Sequence, residues 1–372
     1  MQPTDPVQAA THADPYPYYA ALAARPGLAY DARLNLWVAA DAATVRAVLT
    51  HPDCCVRPQA EPVPATIAGA AAGHIFGALV RMNDGARHHQ PRLALQRALG
   101  GVDLAQAHAR AHVLGRQLWR GDGLTDWMLA VPVSTVASLI GFDDAALAPL
   151  AAWLADFVAC LSPLSSEEQI GRAHGAALAL LDSFTALLRQ GDARPDSLLA
   201  QVRAEAAAVG WDDAQALLAN LVGLLSQTYE ATAGLLGNSV LALLRQPADE
   251  RCAAADAAAL VQLVSRRDPP VQNTRRFVAR ACTIGGVRLE AGQAILLLLA
   301  AAGHDPAGEG HAYGFGYGPH ACPGHALACA IAAGALAALL EQPLPPRLAW
   351  RYRPSVNARI PVFFAPQAQE AA

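Results

Sequence analysis

Cys322 stands between a glycine-broken segment and an alanine-rich run, in AYGFGYGPHACPGHALA (312–328). Pro323 suits the opening position of a helix, where its missing N–H costs nothing, and GHALACAIAAGALAALL (324–340) reads as that helix. A thiol at or just before a helix N-terminus meets unpaired backbone donors and the positive end of the helix dipole. That setting is expected to lower its pKa and present a thiolate, the form of cysteine that attacks electrophiles and binds metals. A second chemical feature lies elsewhere. The apolar run 212–245 is interrupted midway by Gln227, Thr228, Tyr229, Glu230 and Thr232, and a purely structural helix has little use for a polar cluster in a buried stretch. A third is the pair His88 and Arg92 in DGARHHQPR (84–92). Four residues apart on a helix they share one face, as two donors for one anion or as a solvated basic surface.

Holding such features together takes a body of some size. The chain has 372 residues, 53% hydrophobic and 16% charged, enough for a large buried core. A net charge of -4 gives no reason to expect a nucleic-acid partner. The seven cysteines are scattered and include no CxxC pair, which argues against a disulfide framework or a cysteine-rich zinc site. The start, MQPTDPVQAATHADPYPYYAAL, is acidic and proline-broken, unlike a signal peptide. Apolar runs such as AILLLLAAA (294–302) are too short to cross a bilayer. A soluble, cytoplasmic protein with no membrane partner is expected.

The patterning is mainly helical with a small β region. PYYAALAA predicts a first helix, LAYDARLNLWVAA (28–40) a short strand pair, and AATVRAVLTHP a second helix. Residues 57–74, rich in Pro, Ala and Gly, predict an irregular loop of the length that often serves as a lid or binding loop. HHQPRLALQRAL resumes the helical period, and helix follows helix from 103 to 208. Residues 212–245 predict one long central helix, N-capped by Asp212 or Asp213 and ended by Pro247. The clear β signal is late: ACTIGGVRLEAGQAILLLL (281–299) predicts three strands joined by a Gly-Gly and a Glu-Ala-Gly turn. No GxGxxG or P-loop pattern follows a strand. Residues 1–372 read as a single domain.

FGYGPHACPG (315–324) resembles the cysteine-ligand loop of the cytochrome P450 haem-thiolate monooxygenases, F-G-x-G-x-H-x-C-x-G. Phe315, Gly316, Gly318, His320, Cys322 and Gly324 fill every specified position, and the resemblance runs from DPYPYYAAL to this loop. It implies a cytochrome P450-like fold, a long central helix over the haem, and haem b (heme b, iron protoporphyrin IX) with Cys322 as the iron ligand. A thiolate ligand donates electron density that favours O–O cleavage. Phe315 would shield the sulfur, and Gly318 and Gly324 would let backbone approach the porphyrin. His88, Arg92, His320 and Arg275 would hold the propionates, with Arg276 the neighbour that could take the place of Arg275.

Two departures from the family pattern matter. The family carries A/G-G-x-D/E-T-T in its central helix, and the chain reads Gln227-Thr228-Tyr229-Glu230-Ala231-Thr232. The acid is kept as Glu230, Ala231 replaces the alcohol, and Thr232 is rotated about 100° away. Proton delivery is then left to ordered water, Thr228, Gln227 or a substrate hydroxyl. The E-x-x-R pair of the next helix reads Leu263-Val264-Ser265-Arg266, so the arginine lacks its carboxylate. Arg266 is expected to find backbone carbonyls with Asp268 or Glu309, or to reach solvent.

The layout of the family implies a substrate pocket walled by Ile75, Phe76, Leu79, Val80, Phe157, Leu161, Val222 and Val271, with Gln227, Gln272 and Asn273 to orient a polar group. A moderately hydrophobic natural-product intermediate fits it, free or on a carrier protein. Electrons would come from a separate ferredoxin or flavodoxin, for which Arg87 and Arg97 are candidate contacts. Three readings follow: an oxygen-using monooxygenase, an enzyme that uses peroxide or rearranges its substrate, and a decayed haem- or substrate-binding relative.

Overall fold

The computed structural model describes residues 2–190, 194–246, 256–342 and 348–364. The first half is α1 (Tyr16–Ala23), α2 (Ala42–Thr50), α3 (Ala71–Ala78), α4 (Ala86–Gly100), α5 (Leu104–Leu118), α6 (Leu124–Ile140) and α7 (Asp144–Ala159). There follow α8 (Glu167–Arg189), α9 (Leu198–Val209), α10 (Ala214–Leu244), α11 (Ala257–Arg267), α12 (Leu299–His304) and α13 (His325–Leu340). The strands are β1 (Ala29–Asp31), β2 (Leu36–Ala39), β3 (Cys54–Cys55), β4 (Thr274–Val278), β5 (Cys282–Ile284), β6 (Val287–Leu289), β7 (Ala294–Leu297), β8 (Ala349–Tyr352) and β9 (Pro361–Phe364).

The long central helix is α10, and its N-cap is Asp213, whose carboxylate accepts from the Ala216 N–H. Pro247, expected to end it, lies outside the described residues. Two hydrophobic clusters meet along α10. Leu221, Val222, Leu225 and Tyr229 pack with α3–α9, whereas Leu235, Leu236, Val240, Leu241 and Leu243 pack with α6, α11, α13 and β9. The polar residues 227–232 fall at and just before the handover between the two. In the second half the backbone runs close to its neighbours: a Cβ on Gly234 would stand 2.7 Å from Pro270 Cβ, and one on Gly237 2.6 Å from Pro361 Cγ.

The loop expected over 57–74 is irregular as far as Ala70, and then α3 begins. The β region is larger than its sequence signal. β5 and β6 form the predicted Gly-Gly hairpin, with Gly285 and Gly286 both at positive φ. The third strand, β7, leaves that hairpin for a sheet ordered β1-β2-β7-β4-β3, parallel to β2 and antiparallel to β4. β4 itself and the C-terminal β8–β9 hairpin have no counterpart in the sequence reading. Gly318–Leu340 is apolar and long enough to cross a membrane by length and composition, but most of it is buried inside the fold. Within that segment α13 packs against α5, α10 and α11.

Candidate functional site

The cysteine loop is shaped by its backbone. Gly316 (φ +76°) and Gly318 (φ +68°) occupy the left-handed region that glycine adopts without penalty. A Cβ on Gly318 would stand 2.8 Å from Thr50 Cγ2 of α2, and one on Gly316 3.1 Å from the His320 carbonyl. The crowding at Gly318 therefore comes from α2. Gly324 has φ -96° and nothing closer than 4.0 Å to its would-be Cβ, one of the two nearest atoms being the Cys322 sulfur. The Cys322 N–H donates to the Phe315 carbonyl at 2.7 Å, which closes the loop on itself. Phe315 stacks on His325, ring centroids 3.7 Å apart and 18° from parallel, and packs against the second hydrophobic cluster.

Cys322 sits three residues ahead of α13, and Pro323 precedes the Gly324 N-cap instead of opening the helix. The thiol is not held low. Burial pushes it up, opposed by a hydrogen bond from the Gly324 N–H and by the charge of Arg92. Yet Cys322 keeps accessible surface, so it lines a recess enclosed by protein. Metal coordination would reverse the balance at the sulfur, because a ligating thiol is deprotonated outright.

Around this recess the fold gathers arginines and histidines. His88 is buried on α4, its ring 4.1 Å from that of His320. The His88 imidazole is pulled down to about 4, by burial first and then by His320 and Arg92. Arg92, one turn along α4, interacts electrostatically with Cys322. His320 Nε2 lies 3.0 Å from Asp84 Oδ1. Arg276 is 5% exposed, donates to the Arg275 carbonyl, and feels Asp84 most strongly among nearby charges. Strand alternation turns Arg275 to the opposite face of β4. It is therefore Arg276, not Arg275, that the structure brings beside the Asp84–His320 pair. The Arg92 and Arg276 guanidiniums, with the His88 and His320 imidazoles as further hydrogen-bonding groups, form a set suited to a dianionic porphyrin edge, and Asp84 lies beside His320 and Arg276. With a recessed cysteine beneath, the residues present fit a haem.

On α10 the four candidate residues divide between two faces. Gln227 and Glu230 share a face with Asn220 and Gly223, while Thr228 and Thr232 lie on another, about 100° or more away from Gln227. Gln227 Nε2 donates to the Gly223 carbonyl at 2.9 Å and Thr228 Oγ1 to the Leu224 carbonyl at 2.8 Å, so both are folded back on their own helix. Thr232 is buried. Glu230 is not a free acid: Arg353 Nη2 donates to its Oε1 at 2.5 Å, with both side chains about one-third exposed. Arg353, 123 residues away, carried no sequence signal for this role.

The E-x-x-R position also resolves. Leu263 and Arg266 are both exposed, so Arg266 reaches solvent and needs no acid. The buried pair nearby is a different one. Arg359, 1% exposed, donates from Nε to Asp268 Oδ1 at 2.7 Å and from its Nη atoms to the His12 and Ala13 carbonyls. Tyr16 Oη completes Asp268 at 2.5 Å. Of the expected pocket walls, Ile75, Phe76, Leu79, Val80, Phe157 and Val222 belong to one hydrophobic cluster with Leu161 against it, while Val271 packs elsewhere. Gln272 and Asn273 are buried and donate to the Pro269 and Val356 carbonyls. On the surface, Arg97 pairs with Glu205 at 3.6 Å, and Arg87 donates to the Gly77 carbonyl.

No protein-family profile matches the chain. It is similar to cytochrome P450 144 of Mycobacterium tuberculosis, 32% identical over 259 residues, a match covering 64% of this chain and 58% of that protein. The match thus spans less than two thirds of that relative's length. It is also similar to the cytochrome P450 monooxygenase PikC of Streptomyces venezuelae, 28% identical over 360 residues, or 89% of this chain and 84% of that one. Among solved structures the crystal structure of CalO2 superposes with a TM-score of 0.80 at 24% identity, covering 99% of this chain and 100% of that one. P450BioI, solved with an acyl carrier protein carrying hexadec-9Z-enoic acid, superposes with a TM-score of 0.76 at 21% identity, covering 94% and 97%.

Proposed function

Since the chain is a member of the cytochrome P450 superfamily, we propose that it is a haem-thiolate monooxygenase that oxidises a moderately hydrophobic small molecule. The observation that carries this reading is the recessed Cys322 beside the arginine–histidine set of Arg92, His88, His320 and Arg276. Cys322 would ligate the iron of haem b, and the arginine–histidine set would anchor the propionates. When bound there, the haem supplies oxygen activation, and the thiolate ligand favours O–O cleavage. The chain itself supports that chemistry in three ways. The Gly324 N–H hydrogen-bonds the sulfur, and such contacts tune a ligated metal. The apolar cluster that contains Phe76, Leu79 and Val222 would exclude water from the site. Glu230, held by Arg353 at the edge of α10, would pass protons inward from solvent through water, Gln227 or Thr228, each of which must first leave its own helix carbonyl.

In this proposal residues 1–372 act as one cytoplasmic domain, with electrons delivered by a ferredoxin or flavodoxin. The substrate is a biosynthetic intermediate, free or on a carrier protein, and the carrier-bound neighbour P450BioI makes the second form worth testing. A second reading rests on Ala231, which leaves the alcohol position of α10 without a hydroxyl: oxidation driven by peroxide. The absorption spectrum of the reduced protein under carbon monoxide is the test. A strongly red-shifted Soret band is expected, and a neutral-ligand band or absent haem would overturn the enzymatic readings. Product formed with peroxide alone, compared with reductant plus oxygen, then separates the two oxidants.

A further inference from the structure

Arg81 stands on the short 3-10 turn Val80–Met82 between α3 and α4. Its Nε is buried without a hydrogen-bond partner, and its guanidinium forms no ion pair among the described residues. Burial pulls its pKa down to about 10. An unpaired buried charge is strongly unfavourable unless something else meets it. Like Cys322, the residue is enclosed by protein yet retains some accessible surface, as a side chain lining an internal recess does.

The position of that recess follows from α10. The Val80 N–H donates to Asn220 Oδ1 at 2.8 Å, and Asn220 Nδ2 donates to the Ala78 carbonyl at 2.9 Å. One turn on, a Cβ at Gly223 would stand 2.6 Å from Leu79 Cδ2. Asn220, Gly223, Gln227 and Glu230 fall within about 80° of one another around the helix. The turn carrying Arg81 is thus pressed onto the face that continues to Gln227 and Glu230. The charges that Arg81 feels are Glu230 and Arg57, not the Arg92–His320–Arg276 set reserved above for the porphyrin. Glu230 is already taken by Arg353. Arg57 is satisfied by the Glu61 and Pro62 carbonyls and lies over the Phe76 ring. Arginines therefore outnumber acids here, at the margin of the apolar cluster to which Phe76, Leu79 and Val222 belong.

We infer that Arg81 binds a carboxylate on the substrate, so that the pocket takes a small hydrophobic acid with its apolar body against the margin of that cluster. The planar guanidinium matches a carboxylate through two parallel hydrogen bonds. This deepens the proposed function and rests on it. It also favours a free acid over a carrier-bound thioester, which has no carboxylate to offer at that end.

Calorimetric titration of the haem-loaded protein with octanoate, dodecanoate and 4-phenylbutanoate, each beside its alcohol and methyl ester, is the test. At least one acid is expected to bind ten- to a hundredfold more tightly than its neutral partners, the range for a buried charged hydrogen bond. Arg81→Gln should abolish that preference and leave alcohol binding and haem content unchanged. Should Arg81→Gln fail to fold, Arg81→Lys, which keeps the charge and loses the fork, should retain only part of the preference. The inference is overturned if no acid outbinds its neutral partners, if the preference survives Arg81→Gln, or if that variant folds but loses haem, which would make Arg81 a propionate anchor. Failure of the functional reading shows separately, in the carbon monoxide spectrum, because calorimetry reads the acid preference whatever the iron ligand is.

Discussion

The two sides of the proposed haem site are built by different means. On the cysteine side the geometry belongs to the backbone: two glycines at positive φ, a Cys322 N–H closed onto the Phe315 carbonyl, and an N-cap at Gly324. On the α10 side it belongs to side chains and to partners far away in sequence. Gln227 and Thr228 rest on their own helix carbonyls, and Glu230 rests on Arg353. A loop that only glycine can thread has few alternative sequences. A polar notch can be wired in many ways. The cysteine side therefore matches its family pattern at every position, and the departures gather on α10 and α11.

Breaking the cysteine side should have the largest effect. Cys322→Ala is expected to abolish the red-shifted carbon monoxide band altogether while leaving the helical circular dichroism unchanged. The next largest effect should fall on neither side. Arg359 and Asp268 form a buried pair completed by Tyr16 and two backbone carbonyls. Arg359→Leu leaves the Asp268 carboxylate buried and unpaired, at a cost of about 3–5 kcal/mol, read as a lowered urea midpoint. If the variant is that unstable but still shows the thiolate band when folded, this pair anchors the fold and not the haem site, while Leu263 and Arg266 are both exposed.

Gly318→Ala tests the backbone argument directly. A left-handed residue with a Cβ costs roughly 1–2 kcal/mol, and this one would also meet Thr50 Cγ2 at 2.8 Å. A similar substitution at Gly324, with φ -96° and an open Cβ site, should cost less. Equal losses at the two glycines would mean that something other than backbone shape sets the loop.

What could be read in advance follows the same division. The central helix, its cap at Asp212 or Asp213 and the cysteine loop announce themselves through local pattern, because apolar period, cap and glycine are near-neighbour signals. β4, β8 and β9 do not. They are short, and they gain their meaning only from partners such as β7, or from each other. The thiol of Cys322 was expected to be low and is pushed up, since burial outweighs the single N–H that reaches it. Arg275 and Arg276 could not be told apart in sequence, and strand alternation decides between them. Asp84, which pairs with His320, and Arg353, which pairs with Glu230, were invisible for a related reason: each contact joins residues more than a hundred positions apart.

The arginine–histidine set should also leave a signature in pH. Folded His88 resists protonation down to about 4, whereas an unfolded histidine takes up its proton near 6.5. Between those values the unfolded chain binds more protons, so stability rises with pH and is lost as pH falls through the window. His88→Gln should flatten this acid limb in thermal melts of the haem-free protein. An anionic porphyrin edge beside His88 would favour the charged imidazole, so the parent limb should also be shallower once haem is bound. An acid limb of the same slope in all three samples would place the titrating group elsewhere.

The smallest effect on stability, and the sharpest test of the α10 side, is expected at Glu230. Its pair with Arg353 is about one-third exposed on each partner, and such pairs contribute less than about 1 kcal/mol. Glu230→Gln should therefore barely move the unfolding midpoint. If the carboxylate passes protons, the same change should slow product formation by tenfold or more, within the range of general acid–base contributions, and divert reducing equivalents to peroxide. Arg353→Gln supplies the complement: the acid is kept and only its tether is lost, so a modest change in rate with no rise in peroxide is expected. If Glu230→Gln and Arg353→Gln behave alike, the pair serves to hold α10 against the β8–β9 segment, and protons reach the site by the Thr228 face of the helix instead.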